Sequence, residues 1–249
     1  LFRSLNVLIV GGGIHGVGLL HDLATRGVKD ILLVEEKLIA SGTSSKSTKL
    51  VHGGLRYLEH LSQWSLVHEA LHERSLLLKL LSDLVRPVPI VLPVFKSDSR
   101  PPWLVRMGLF FYDLLAGDGL LPSATSISKE DIHAYAPYLN EQKIERDMKC
   151  AFMYYDAQML DDVIARLIAF ASKKLGARFE ENTIVNKIEK RNDHFIVTLF
   201  KDNKEQTVTA KHVVNATGAW ANKNLITWGF TPKRTCLLNL GSHLVFNKD

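Results

Sequence analysis

The run Thr43-Ser44-Ser45-Lys46-Ser47-Thr48-Lys49-Leu50-Val51-His52-Gly53-Gly54-Leu55-Arg56-Tyr57-Leu58-Glu59 is dense in hydroxyls, cations and glycine. It lacks the periodic apolar positions that build a core. Small hydroxyl residues and close-approach glycines suit a backbone that cradles an anion. Lys46, Lys49 and Arg56 add positive charge, and the Arg56 guanidinium can grip an oxyanion through two N–H groups at once. Tyr57 can hydrogen-bond a small ligand. By composition alone the run is equally a solvated polar loop. A second candidate is His243 in Gly241-Ser242-His243-Leu244-Val245, behind the apolar Leu237-Leu238. Imidazole titrates near neutrality and suits a general base, whereas a lone strand histidine beside a glycine also occurs as a structural residue.

What lies upstream decides between cradle and loop. Asn6-Val7-Leu8-Ile9-Val10 is a short β-branched apolar run that reads as a buried parallel strand. It enters Gly11-Gly12-Gly13-Ile14-His15-Gly16, in which Gly11, Gly13 and Gly16 form G-x-G-x-x-G. Leu19, Leu20, Leu23 and Ala24 then recur at helical spacing until Gly27. A second apolar run, Ile31–Val34, ends in Glu35, close to the separation expected of a carboxylate that accepts ribose hydroxyls. Each glycine has a physical task. Gly11 permits the tight turn, Gly13 admits a pyrophosphate, and Gly16 lets the helix pack on the strand. The helix N-terminus then favours the anion. Strand, glycines, helix, strand and acid in this order predict a Rossmann-like α/β unit that binds a dinucleotide. Glu36 is the neighbouring acid, expected to point the other way.

The chain has 249 residues and a formal net charge of +5, which suits an anionic substrate, an anionic cofactor or an acidic membrane surface. Lys and Arg are scattered, so no nucleic-acid partner is expected. Cys150 and Cys236 are far apart and outside any C-x-x-C spacing; neither a disulfide nor a metal site is expected, and a reducing compartment fits. No signal peptide is visible, and no stretch has the ~20 apolar residues needed to span a bilayer. A start at Leu1 and a stop at Asp249 after an apolar run suggest a fragment.

Further along, 64–85 predicts an amphipathic helix that packs. Pro87–Val94 predicts an edge or bulged strand, because its prolines cannot donate to a ladder. Arg100–Leu115 predicts a strongly apolar helix. It suits either a core position or a membrane interface, with Trp103 and Arg106 at headgroup level and Phe110 and Phe111 dipping deeper. Residues 117–149 read as a Gly/Pro/Ser-containing connection and a charged, weakly periodic stretch. Lys149–Tyr155 resembles a strand. Asp156–Asp162 then opens a helix running to about Lys174, with Asp156 or Asp161 as its cap and Gly176 at its end. Short strands follow over 178–200. In Val213-Val214-Asn215-Ala216-Thr217-Gly218-Ala219-Trp220 an apolar strand ends in small residues, which allow either close approach of a cofactor or a packing turn.

The glycine fingerprint, Glu35 and the run T-S-S…K-L-x-H-G-G-L-R-Y-L-E together resemble the FAD-dependent glycerol-3-phosphate dehydrogenases, within the wider D-amino-acid-oxidase-like flavoenzymes. The resemblance implies an α/β fold with a Rossmann-like FAD-binding domain (1–85 and 150–225) and an interleaved mixed α+β substrate domain (86–149 and 226–249). It implies FAD held by Gly11, Gly13, Ile14, Gly16 and Glu35, by Thr43, Ser44 and Ser45 at the pyrophosphate, and by Lys49, Leu50, His52, Gly53 and Gly54 beside the flavin. Val185 is implied at the adenine edge, and Ala216, Thr217 and Gly218 also at the cofactor. Arg56, Tyr57 and His243 are implied at the substrate, with Arg56 as the phosphate-binding cation and His243 as base. Two departures stand out: Ala219 where proline is common, and Leu240 where lysine is frequent.

The implied reaction converts sn-glycerol 3-phosphate to dihydroxyacetone phosphate and passes electrons to a membrane quinone, with the protein in the cytoplasm or peripheral on the inner membrane's cytoplasmic face. A homodimer is a further expectation. The alternatives are an oxidase using oxygen, an NAD-dependent reductase, and a piece that binds dinucleotide but catalyses nothing. Segments that the family carries further along are missing, so this piece alone is expected to bind FAD weakly or not at all.

Overall fold

The computed structural model describes residues 4–117, 119–135 and 141–242. The chain packs as two compact units, Leu1–Thr48 with Asp161–Asp249 and Lys49–Leu160, so the second is an insertion into the sequence of the first.

The first unit begins with strand β1 (Ser4–Val10), helix α1 (Ile14–Thr25) and strand β2 (Ile31–Val34). Gly27, at φ +78°, turns the chain out of α1. Leu32, Leu33 and their neighbours in β2 are all buried, as a strand covered on both faces requires. After β2 the chain forms no second helix. It runs through a loop to one 3-10 turn at Thr43–Ser45.

The second unit follows. Strand β3 (Leu50–Val51), 3-10 turns at Leu55–Glu59 and Leu61–Gln63, helix α2 (Trp64–Leu80), strand β4 (Val85–Phe95), helix α3 (Pro102–Ala116), strand β5 (Thr125–Ile127), helices α4 (Lys129–Tyr135) and α5 (Glu141–Asp147) and strand β6 (Met148–Met159) come in that order. β6 is the spine, with β4 antiparallel on one side and β3 and β5 on the other. β4 is an edge strand with an irregular register at Val94/Phe95, as its prolines predict. Pro87, Pro89 and Pro93 are separated by two and four residues, so in an alternating strand their missing N–H groups share the side away from β6. Segments 49–85 and 150–160, grouped above with the cofactor-binding part, pack in this unit.

α3 has one buried face and, opposite it, one exposed apolar face. Leu109 and Tyr112 are buried, with Tyr112 packed against Val67 and Leu71 of α2. Trp103, Met107, Phe110 and Leu114, spaced four, three and four residues apart, form an exposed apolar stripe. No helix among the described residues is long and apolar enough to cross a membrane.

The first unit resumes with helix α6 (Asp161–Lys174), strands β7 (Arg178–Glu180), β8 (Ile184–Lys190), β9 (Phe195–Lys201) and β10 (Lys204–Asn215), and helix α7 (Ala221–Thr227). Asp156–Met159, expected to open the helix, instead continue β6. The helix starts at Asp161, whose carboxylate accepts the Asp162 N–H and the Ser47 hydroxyl. Asp156 therefore caps nothing.

The sheet order is β7-β2-β1-β10-β9-β8. β7, β2, β1 and β10 run parallel, and β10, β9 and β8 form an antiparallel meander. Alternation along β1 gives each face its core. Val7 and Ile9 join Val17 and Leu20 of α1 and Ala165 and Ala169 of α6. Leu8 and Val10 join Val197, Val208 and Trp228 on the other face, a cluster that Leu5, at the start of the strand, also joins out of alternation. The small residues of α6 let it pack closely on α1. Leu33→Ala removes a fully buried side chain from the first cluster and should lower unfolding free energy by about 2–5 kcal/mol, read from denaturant midpoints.

Candidate functional site

The glycine loop joins β1 to α1 where three backbones converge. Gly11 sits at φ +110°, and a Cβ there would lie 2.6 Å from the Ala216 carbonyl oxygen. A Cβ on Gly16 would collide with the Gly11 carbonyl oxygen. Gly12 is as constrained, since a Cβ would meet Ile39 Cδ1 at 2.5 Å and Glu35 Cβ at 2.9 Å. The loop is tied in place by Gly11 N–H to the Val34 carbonyl (2.9 Å), Ala216 N–H to the Val10 carbonyl (2.8 Å) and Ala40 N–H to the Gly12 carbonyl (2.9 Å).

Ser44, in the turn Thr43–Ser45, accepts the N–H of Ile14, the first residue of α1, at 2.9 Å. A hydroxyl that accepts in this way still has its own proton to donate. Ser45 donates to the carbonyls of Ser41 (3.1 Å) and Gly42 (2.9 Å), which fixes the turn. Over Gly13 the space is open, and a Cβ there would meet only Ser44 Oγ, at 3.3 Å. The first turn of α1 carries no acidic side chain of its own.

Glu35 leaves the end of β2 with its carboxylate turned back onto the loop. It accepts the Gly12 N–H at 2.6 Å and the Lys37 N–H at 3.0 Å. Each oxygen retains a second acceptor site. The acid that the sequence assigns to a ribose thus also braces the glycine turn. At the end of β10, Asn215 Oδ1 accepts the Thr217 hydroxyl at 2.7 Å, and Asn215 Nδ2 donates to the Ala221 carbonyl at 2.9 Å. Gly218 then takes φ +56°. Val185 puts its side chain in the second core, while its carbonyl accepts from Trp228 Nε1 at 2.9 Å.

These features fit a dinucleotide. A pyrophosphate needs open backbone above a helix N-terminus, and Gly13 beside the Ser44 hydroxyl provides it. A ribose needs a carboxylate at the end of the second strand, and Glu35 provides it. Gly12, Ala40 at φ +63° and Asn215 are the supporting residues that spacing alone did not single out. Only the Gly11-Gly12-Gly13 triplet hinted at the first of them.

The other candidates lie in the second unit. Lys49 takes the left-handed conformation at φ +59°, and its carbonyl accepts the Met159 N–H at 2.8 Å. Leu50 is half-buried in β3, and His52 is exposed. Gly53 is buried, with Leu71 and the Tyr112 hydroxyl so close that no Cβ fits. Gly54, at φ +76°, starts the turn that carries Arg56 and Tyr57, and the Tyr57 ring lies against its Cα. Both side chains are exposed. Glu59 is engaged by Arg100, whose Nε and Nη2 both reach Oε1 at 2.6 Å; this bond holds the Glu59 carboxyl below its usual range.

Behind this loop is a polar cluster that the sequence did not reveal. Gly53 N–H donates to the Tyr112 hydroxyl at 2.7 Å, and that hydroxyl donates to Asp156 Oδ1 at 2.7 Å. Arg74 Nη1 donates to the same Oδ1 at 2.8 Å and to the Tyr155 carbonyl at 3.1 Å. Arg74, Tyr112 and Asp156 are each at most 3% exposed. Burial, reinforced by the Asp156 charge, pushes the Tyr112 phenol up and Tyr154 up to about 12, so both stay protonated at neutral pH. His243 lies outside the described residues.

The sequence matches the family described as FAD dependent oxidoreductase over residues 6–249. It is 36% identical over 249 residues to the D-erythritol 1-phosphate dehydrogenase of Brucella abortus, covering 99% of this chain and 48% of that protein. It is 38% identical over 234 residues to the mitochondrial glycerol-3-phosphate dehydrogenase of Macaca fascicularis, covering 88% and 31%. The chain thus spans between about a third and a half of the length of these relatives. Its fold resembles the glycerol-3-phosphate dehydrogenase of Bacillus halodurans complexed with FAD, with TM-score 0.64 and 24% identity over 90% of this chain and 36% of that one.

Two substitutions separate packing from ligand contact. Gly16→Ala should abolish dinucleotide binding by forcing α1 off the loop. Ser44→Ala should leave the fold intact and weaken ADP binding roughly fivefold, the worth of about one hydrogen bond. Titration calorimetry with ADP reads both; equal losses from the two would contradict this division.

Proposed function

The chain belongs to the FAD-dependent oxidoreductase family, and on that premise we propose that it oxidises sn-glycerol 3-phosphate to dihydroxyacetone phosphate and passes the electrons to a membrane quinone. The observation that carries this reading is the 38% identity with the macaque dehydrogenase. Bound FAD supplies the hydride acceptor for the secondary alcohol carbon. Gly13, Ile14, Ser44 and Glu35 hold the ADP half of the cofactor, and Val185 and Ala216–Gly218 contribute at the same cofactor. Lys49, Leu50, His52, Gly53 and Gly54 serve the flavin end. Arg56 grips the substrate phosphate through its planar fork, and Tyr57 donates a hydrogen bond to the same substrate. His243, neutral at the start, takes the hydroxyl proton as the carbonyl forms.

A second substrate follows from a specific observation, the 36% identity with the Brucella erythritol phosphate enzyme across nearly the whole chain. Glycerol and erythritol phosphates share the phosphate that Arg56 would hold and differ by one hydroxymethine unit. Oxygen is the alternative electron acceptor, and peroxide release on adding substrate in air would identify it. The deciding experiment adds each phosphate anaerobically to the full-length flavoprotein. Glycerol 3-phosphate should bleach the flavin absorbance faster than erythritol 1-phosphate; no bleaching by either would sink the assignment. Arg56→Ala should raise KM at least tenfold. His243→Gln should lower the bleaching rate at saturating glycerol 3-phosphate at least a hundredfold, the usual scale of a lost general base, while flavin content stays unchanged.

For delivery to a quinone we propose peripheral membrane contact through the stripe Trp103, Met107, Phe110 and Leu114, with Arg106 on the same helix. Trp103→Ser with Phe110→Ser should lower co-sedimentation with anionic vesicles while leaving flavin bleaching intact. Unchanged co-sedimentation would remove the stripe from that role.

A further inference from the structure

The buried cluster of Arg74, Tyr112 and Asp156 has no part in the reaction proposed above, yet its hydroxyl ends on the loop that carries Arg56. Asp156 lies mid-strand in β6, Arg74 on α2 and Tyr112 on α3, so three elements meet at one oxygen. A buried carboxylate needs a partner, and Arg74 provides one. A buried phenol that faces a carboxylate must give it its proton. Its lone pair is then left for an N–H, and the N–H present is that of Gly53. Gly53 alone allows this approach, because Leu71 and the Tyr112 hydroxyl both lie where a Cβ would stand. The next residue, Gly54, makes the left-handed turn, and its carbonyl accepts the Tyr57 N–H at 2.8 Å to open the 3-10 turn of Arg56.

We propose that Tyr112, oriented by the Asp156–Arg74 ion pair, is a positioning residue that sets the direction of Arg56 by anchoring the Gly53 amide. The inference rests on the reading of Arg56 as the substrate's phosphate-binding cation. Tyr112→Phe keeps the ring and its edge contact with Tyr154 (centroids 5.8 Å apart) and removes the hydroxyl that anchors Gly53 and donates to Asp156.

The test is a double-mutant cycle on the full-length flavoenzyme, with rates normalised to bound flavin and glycerol 3-phosphate as substrate. Tyr112→Phe should raise KM about tenfold, the scale of one buried N–H left unpaired, and change kcat less than twofold. In the Arg56→Ala background the same substitution should add less than a further twofold, because the group it positions is gone. Independent, multiplying effects would overturn the proposal, as would an unchanged KM in Tyr112→Phe beside a raised KM in Arg56→Ala. An unchanged KM in Arg56→Ala would instead remove the reading beneath it. If Tyr112→Phe does not fold, Asp156→Glu keeps the charge and shifts it by one methylene, and the same KM-selective loss is expected. Hydrogen exchange of the unmodified enzyme gives an answer independent of any variant: the Gly53 amide should be protected, and exchange at the rate of an open loop would overturn the anchor.

Discussion

The first unit depends on the approach of three backbones that no side chain could share. Gly11, Gly16 and Ala216 bring the end of β1, the start of α1 and the end of β10 into contact. The clashes at Gly11 and Gly16 are with carbonyl oxygens, which cannot rotate aside as a side chain can. Once that contact is made, the N-terminus of α1 must sit over the carboxyl ends of the parallel strands. The Ser44 turn and the Glu35 carboxylate then find backbone N–H groups to hold. The double-sided core around β1 supplies the stiffness, since a sheet with apolar clusters on both faces leaves little freedom for the loop at its end.

The inserted unit is held differently. Alongside its apolar clusters it buries an ion pair and a phenol around a single carboxylate oxygen. Such a network is costly if any member is lost, because the remaining charge has no water to turn to. In return it offers direction, since hydrogen bonds fix angles as well as distances and apolar contacts do not. α3 shows the same economy. One face gives Tyr112 to this network, and the opposite face presents the apolar stripe.

Much of the first unit could be read from residue order. The runs Asn6–Val10 and Ile31–Val34, the glycine spacing and Glu35 are local signals, and each carries its own mechanism. The edge character of β4 was legible because proline cannot donate to a ladder. The buried cluster was not legible. Arg74 sits in an amphipathic helix, where a cation reads as solvated surface. Asp156 precedes a helix, where an acid reads as a cap. Tyr112 lies in an apolar run, where its hydroxyl is incidental. Their meaning comes from pairing across three elements far apart in sequence, and periodicity within one element does not report that. The dual faces of α3 were legible only as alternatives, since the sequence shows an apolar helix without showing which side is covered.

The hydrogen bond from the Met159 amide to the Lys49 carbonyl has a consequence for how the chain is assembled. The central pairing of the first sheet joins Ser4 to Thr209, so it waits until synthesis has passed residue 209. By then residues 49–160 have emerged as a continuous segment able to fold ahead of it. When they do, their two ends are clasped together, and the polypeptide separating β2 from α6 shrinks from a long floppy loop to a closed knot of structure. The entropic cost of closing the sheet grows with the logarithm of the free length, so the insertion acts as a built-in assembly jig for the unit that it interrupts.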